Sequence, residues 1–353
     1  MSIPGKKGAS LATLKDLSRH LGLSVTQISR ALNGHSDVNE ATREKVMAAA
    51  RQLRYQPNLS ARKLATGRSG TVGLVVPAPS HAANDALFVQ MISGLSHNFS
   101  KLDVRFLLHI ADERDDPVAV HRKLVDSAAL DGFVVVDSRV DDPRVHFLQR
   151  REVPFVLHGR TLEAVDYPYF DIDNYAVGHR LTKHLTALGH RRIAFLNGMD
   201  GRSYSLARMR GYADALAAVG ERFDPALHRN GEMRQSVGLV ETIRLMENQT
   251  NRPTAFIAGN SLLAKGIYEA LEALSLSIPG DVSVVAHDDL LPAPETAAMH
   301  PPLTVTEAAL QDSWEPMARL LVGALEGQPL EALQLIGDIR FVERRSVGPA
   351  PRG

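Results

Sequence analysis

Residues 13 to 36, TLKDLSRHLGLSVTQISRALNGHS, confine the amino end of this chain to two short amphipathic helices separated by a glycine turn. Thr13 is placed to cap the first helix. Its buried side is Leu14, Leu17 and Leu21, and Asp16 suits the positive N-terminal end. Gly22 ends that helix. Ser24 then caps a second one and Gln27 completes a capping box, so two orphan amides are satisfied reciprocally. Ile28 and Leu32 turn inward, which leaves Val25, Thr26, Ser29, Arg30 and Asn33 outward, where a major groove presents base edges and phosphates. A third helix over 39 to 53, capped by Asn39, brings Val46, Ala50 and Leu53 to one side and closes a small core. The pattern is that of a DNA-reading helix-turn-helix. Tyr55 to Asn58 reads as an extended stop. The segment 59 to 70, LSARKLATGRSG, is too short to hold a helix alone and should fold only against a partner or DNA.

The charge supports this reading. The 353 residues carry no net charge, yet residues 1–70 hold 12 Lys+Arg against 4 Asp+Glu, +8, and the remainder therefore carries −8. A basic front places phosphate-binding charge where the helix-turn-helix lies, and an acidic body avoids DNA.

From residue 71 on, apolar β-rich runs alternate with amphipathic helical stretches: 71–76, 104–110, 132–137, 154–159, 192–198, 254–260 and 282–289. Runs apolar throughout belong to parallel sheets covered on both faces, so the body is expected to be a doubly wound α/β structure. Seven or more strands exceed one comfortable sheet, and 167–181 reads as a crossing between two lobes with a cleft. Ligands in such sheets sit beyond the carboxyl ends of the strands. There the chain has Pro77 to His81, Asp137, His158 to Arg160, Asp173, Gly198 to Arg208, Asn260 and the Asp288-Asp289 pair. Carboxylates, amides, guanidinium and imidazole groups with few hydrophobes suit a polyhydroxylated molecule. The same residues could equally satisfy backbone ends.

LKDLSRHLGLSVTQISRALNG followed by VNEATREKVMAAARQLRYQPNLSARKLATGRSGTVGLVVP resembles the lactose-repressor/galactose-repressor (LacI/GalR) family of bacterial regulators, in order and spacing, and the likeness runs over the whole chain. The resemblance implies a helix-turn-helix headpiece on a periplasmic-binding-protein-like core. It places Val25, Thr26 and Arg30 at base-reading positions, Leu64 as the hinge leucine that wedges into the minor groove, and Ser24, Ser29, Asn33 and Asn58 at the DNA backbone. Thr26-Gln27 departs from the common Ala-Thr, so operator preference does not carry over. In the core it implies effector contacts from Arg208 in RSYSLARMRGY and Asp288 in VVAHDD, and from His158 and Arg160 in VLHGR. Asn260 matches the family's asparagine, with Ser261 in place of the usual aspartate. His81 and Asp173 join these as strand-end candidates, although the segment after the first strand is longer than the usual form. The expected domains are a tail (1–10), headpiece (11–58), hinge (59–70), core (71–345) and tail (346–353). Within the core, one subdomain covers about 71–171 plus 304–332 and the other about 172–300 plus 333–345.

Competing chemistry finds no motif. Cysteine is absent, so disulfides and thiolate sites are excluded. No G-x-G-x-x-G, P-loop or G-x-S-x-G occurs, and His179, His184 and His190 are spaced wrongly for ligands on one helical face. Trp314 is expected in the core. The expectation is therefore a regulator that is not an enzyme, with no cofactor and no metal. No run approaches the ~20 apolar residues of a membrane span, and MSIPGKKGAS lacks a secretory apolar stretch, which points to the cytoplasm. The partners implied are double-stranded operator DNA, a second copy in a homodimer and a small-molecule effector. Members sharing the His-Gly-Arg and LTVTEA segments lean the effector toward an α-glucoside or related saccharide that releases the repressor. A corepressor-dependent regulator or activator with a non-sugar ligand is the alternative. A transport solute-binding protein would share the body but lacks the headpiece.

Overall fold

The computed structural model describes residues 12–32, 37–53, 55, 68–77, 86–112, 114–162, 165–247, 252–290 and 293–351. The chain divides into two compact units, Met1–Gly70 and Thr71–Gly353. Asn33, Asn58, Leu64 and His81, with the 1–10 tail and most of the 59–70 hinge, lie outside the described residues.

Among the described residues of the first unit three helices form as their caps dictate: α1 (Leu14–Leu21), α2 (Val25–Leu32) and α3 (Glu40–Gln52). The Thr13 hydroxyl accepts from the Asp16 amide, and the Asp16 carboxylate accepts from the Thr13 amide at 2.8 Å. Gly22 closes α1 at φ 67°, a left-handed conformation that glycine adopts without strain. Ser24 and Gln27 repeat the reciprocal pattern at α2, with 3.0 Å from the Ser24 amide to Gln27 Oε1 and 3.2 Å from the Gln27 amide to Ser24 Oγ. Asn39 Oδ1 accepts from the Ala41 amide at 2.8 Å to start α3. The core between the helices is Leu17, Ile28, Ala31, Val46 and Ala49, rimmed by Leu14, Leu21, Leu32, Ala50 and Leu53.

The second unit carries two six-stranded sheets. The strands are β1 (Thr71–Pro77), β2 (Arg105–Ala111), β3 (Gly132–Val135), β4 (Phe155–His158), β5 (Tyr169–Ile172), β6 (Ile193–Asn197), β7 (His228–Asn230), β8 (Ala255–Ala258), β9 (Ser283–Asp288), β10 (Thr304–Glu307), β11 (Gln334–Gly337) and β12 (Arg340–Val342). The first sheet is ordered β11-β5-β4-β3-β1-β2 and the second β12-β10-β9-β8-β6-β7. All neighbours run parallel except β12 against β10. Helices between strands are α4 (Ala86–Lys101), α5 (Pro117–Asp126), α6 (Pro143–Arg150), α7 (Asn174–Ala187), α8 (Ser203–Ala217), α9 (Gln235–Glu247), α10 (Ser261–Ala273) and α11 (Trp314–Glu326).

The uniformly apolar strands are apolar because both sheet faces are covered. Val72, Leu74 and Val76 of β1 pack with Leu95 and Phe99 of α4 and Met317 and Leu321 of α11, while Val75 faces Val120 of α5 and Leu148 of α6. In the second sheet Ala194 and Leu196 of β6 face α9 and α10, and Ile193 and Phe195 face α7 and α8.

Two expected boundaries are corrected by strand pairing. β10 aligns parallel to β9, Thr304 opposite Val285, so 304–307 belongs to the second lobe and not the first. β11 aligns with β5, Gln334 opposite Tyr169, so 334–337 belongs to the first lobe. The chain thus crosses between lobes three times, after β5, β10 and β11. Residues 346–350 are not a free tail. Ser346 is fully buried, donates to the Val284 carbonyl at 2.6 Å and accepts from the Thr304 amide at 2.8 Å, and the Ala350 amide donates to Leu188 at 2.9 Å.

Helices α7 and α8 cross backbone to backbone. A methyl on Gly178 would fall on the Arg208 carbonyl oxygen, and one on Gly211 would fall on that of Tyr175. Gly238 and Gly266 play the same reciprocal part where α9 meets α10. This close approach carries Arg208 of α8 to the first turn of α7. Gly178→Ala should therefore lower stability by roughly 1–3 kcal/mol, read as a fall in the urea midpoint; an unchanged midpoint would contradict the close crossing.

Candidate functional site

On the headpiece, Ser24, Val25, Thr26 and Arg30 are exposed and Ser29 is half-buried, because Ile28 and Ala31 occupy the inward positions of α2. One connected face thus offers hydroxyls, a methyl-bearing side chain and a guanidinium. Arg30 is paired with Asp37, the closest approach being 2.6 Å from Nη2 to Oδ2.

In the body the strand ends of the two lobes meet around Arg208. This cation is 5% exposed. Its Nε donates to Asn174 Oδ1 at 2.8 Å, its Nη1 donates to the Gly259 carbonyl at 2.7 Å, and its guanidinium carbon lies 5.4 Å from the centre of the Tyr204 ring. Asn174 Nδ2 donates in turn to Asp171 Oδ1 at 3.0 Å, and Arg160 Nε donates to Asp171 Oδ2 at 2.8 Å. A relay Arg160–Asp171–Asn174–Arg208 therefore runs from the first lobe into the second. Burial lowers the proton affinity of Arg208, while the charges of Asp289, Tyr204 and Asp171 act against that. Burial likewise raises the Asp171 carboxyl against the pull of Arg160.

Asp289 supplies the opposing charge. Burial alone would raise its carboxyl, but the His287 ring, with Nε2 3.3 Å from Oδ1, together with Arg208 and His158, holds it below the ordinary carboxylate range. His158, at the end of β4, lies between Phe170 and Trp314 with ring centres 6.1 and 6.0 Å away. Burial pushes its imidazole down to about 4, with Asp289 opposing. It is therefore neutral at pH 7 and can both donate and accept.

The lobes also touch directly beyond β3. Ser138 and Ser203 share a hydroxyl contact of 2.5 Å, and the Ser203 amide donates to the Ser138 carbonyl at 3.1 Å. The Val140 amide donates to the Gly201 carbonyl at 2.9 Å, and Arg202 Nε sits 2.6 Å from Asp137 Oδ1.

Of the residues expected at the ligand site, Arg208, Arg160 and His158 are brought together. Asp288 is not with them. Its Oδ1 accepts from the Leu290 amide at 2.9 Å and its Oδ2 from the Thr296 hydroxyl at 2.6 Å, so both oxygens are used in holding a loop. The neighbouring Asp289 is the carboxylate whose charge acts on Arg208. Asp173 is exposed and caps α7 through the Ala176 amide at 2.9 Å. Asn260 caps α10, accepting from the Leu263 amide at 2.9 Å and donating to the Met233 carbonyl at 3.2 Å. Ser261, where the resemblance has an aspartate, is fully buried and its hydroxyl has no hydrogen-bond partner among the described residues. His190, whose spacing argued against a metal ligand, is buried and bonded to Thr254 at 2.9 Å and Ser283 at 3.0 Å. Asn174, Asp171 and His287 are the members of the cluster not singled out from sequence, while Tyr204 and Asp289 lay within the strand-end groups without being given a ligand role. β-strand parity could have found two of them, since His287 and Asp289 share the sheet face of Val285, toward α7 and α8. The described residues contain no group of three or more metal-ligating side chains, and no helix of theirs is long and apolar enough to cross a membrane.

Comparison with known proteins agrees with both units. Residues 13–58 match the bacterial regulatory proteins of the lacI family, and residues 69–313 match the periplasmic binding proteins and sugar binding domain of the LacI family. The HTH-type transcriptional regulator AglR of Rhizobium meliloti (strain 1021) is 35% identical over 339 residues, 96% of this chain and 95% of the relative. RafR of Escherichia coli, another HTH-type transcriptional regulator, is 37% identical over 279 residues, covering 79% and 82%. A solved complex of the transcriptional regulator CelR with cellobiose superposes with a TM-score of 0.68 at 27% identity, over 95% of this chain and 99% of that one. A DNA-reading three-helix unit followed by a two-lobed α/β body, matched along nearly its whole length by such regulators, makes this chain a member of the LacI family of transcriptional regulators.

Proposed function

We propose that the protein is a repressor of saccharide uptake or catabolism genes, released from its operator when a neutral saccharide enters the cleft between the lobes of the body. The observation that carries this reading is the composition of the Arg208 cluster. Arg208 faces Asp289 and Arg160 faces Asp171, so the cationic and anionic groups compensate one another. A charged ligand would leave a buried charge without a partner, which is costly. A polyol can donate to the carboxylates and accept from the guanidinium groups without adding charge. The likeness to a regulator bound to cellobiose supports the same ligand class.

In this mechanism a dimer sets two copies of α2 on the half-sites of a near-palindromic operator. Val25, Thr26 and Arg30 read base edges, Ser24, Ser29, Asn33 and Asn58 approach the backbone, and the 59–66 segments with Leu64 occupy the central minor groove. Saccharide bridging His158 and Arg160 of one lobe to Arg208 and Asp289 of the other changes how the lobes meet along 137–140 and 201–203. The hinge segments then part. The loss of DNA affinity equals the ligand's differential binding to the two states, typically about 1–3 kcal/mol.

The test is fluorescence anisotropy of the full chain on the DNA upstream of its own gene, with a panel of mono- and disaccharides. A saccharide that lowers affinity is expected; the absence of any saccharide response would overturn the ligand class, and strengthened binding would reverse the sign. Arg30→Ala should weaken DNA binding by roughly 1–3 kcal/mol with saccharide binding intact; unchanged DNA affinity removes Arg30 from the reading face. Asp289→Asn should abolish the saccharide response and spare DNA binding, whereas Asp288→Asn should keep the response and lose about 1–3 kcal/mol of stability through its loop bonds. The opposite pattern between these two variants would restore Asp288 as the ligand carboxylate.

A further inference from the structure

Arg30 does not project freely from α2. The Asp37 carboxylate meets its guanidinium side-on, accepting from Nε at 3.2 Å and lying 2.6 Å from Nη2. Asp37 stands two residues before Asn39, the cap of α3, so the carboxylate comes from the turn that leads into α3 and not from the helix carrying the arginine. A guanidinium carries five N–H groups in one rigid plane. Asp37 takes the Nε edge with one Nη2 hydrogen. Among the described residues the end formed by Nη1 and the outer Nη2 hydrogen has no partner, and two parallel donors of that kind match O6 and N7 of guanine in the major groove.

An arginine held on one edge has already given up much of its torsional freedom, so a base contact orders less of it. The carboxylate also opposes settling of this arginine on a phosphate, because the phosphate would then lie beside a second anion.

We propose that Asp37 is a specificity-determining residue of the DNA-reading face: it fixes the plane of Arg30 so that the free fork meets a guanine, and it disfavours sequence-independent phosphate contacts by the same side chain. The inference rests on the reading of Arg30 as a base contact.

The test compares the full-length wild type, Asp37→Asn, Arg30→Ala and the double variant, with Asp37→Ser as a second neutral substitution. Each is bound to a pool of randomised duplexes, the retained DNA is sequenced, and affinity for bulk sheared duplex is measured at the same salt. Arg30→Ala should erase the guanine preference at one position of each half-site. At that position Asp37→Asn and Asp37→Ser should lower the preference about tenfold, while bulk-duplex affinity rises by about threefold. In the Arg30→Ala background the Asp37 change should do nothing further at that position, an outcome that a general loss of headpiece structure would not give. Wild-type preference in both neutral variants, or an equal loss at every position, overturns the proposal while leaving the Arg30 reading in place. A full set of wild-type preferences in Arg30→Ala overturns that reading, and this inference with it.

Discussion

The body is organised around a cation that has almost no water. Arg208 is buried where two lobes abut, and a guanidinium there persists only if every direction is answered by an acceptor or an opposing charge. Asn174 and the Gly259 carbonyl answer within the second lobe, Tyr204 covers one face, and Asp289 and Asp171 supply the charge. Most of the fold near the cleft serves this arrangement. The glycine crossing of α7 and α8 brings Asn174 and Arg208 together, and β9 delivers His287 and Asp289. Asp171 of the first lobe reaches the second only because the chain crosses right after β5.

The headpiece meets a different constraint. Five small or medium side chains make its core, too few to stabilise three short helices by burial alone. Satisfied termini make up part of the difference: two reciprocal capping boxes, the Asn39 cap and the left-handed Gly22 close the helix ends that would otherwise expose orphan amides and carbonyls. The same caps fix where α2 begins, and hence which side chains face outward. Stability and recognition thus draw on the same residues.

These differences explain what was legible beforehand. Caps act over three residues, so Thr13, Ser24, Gln27 and Asn39 could be read directly. Six strands buried along most of their length, β1, β3, β4, β6, β8 and β9, showed as apolar runs because a strand covered on both faces has no solvent side to alternate toward, and β2 showed as one although Leu107 and Ile110 are exposed. Strands β10 and β11 did not, since Thr304 and Thr306 interrupt one and β11 is only half-buried; their sheet membership is fixed by pairing with distant β9 and β5. The choice between Asp288 and Asp289 was harder. Both stand at the end of β9, and only parity along the strand, carried from Val284 and Val285 in opposite cores, sends one to Thr296 and the other toward Arg208. Caps posed the same ambiguity at Asp173 and Asn260, where a carboxylate or amide after a strand serves the next helix.

Trp314 gives the most direct test of the claim that ligand acts at this cluster. It is the chain's single tryptophan, buried, with its ring 6.0 Å from that of His158. Its emission should change saturably when the unmodified protein is titrated with the saccharide that dissociates it from DNA, and the midpoint should coincide with that of DNA release measured under the same conditions. Release of DNA with the emission of Trp314 unchanged would place the ligand elsewhere and contradict the account.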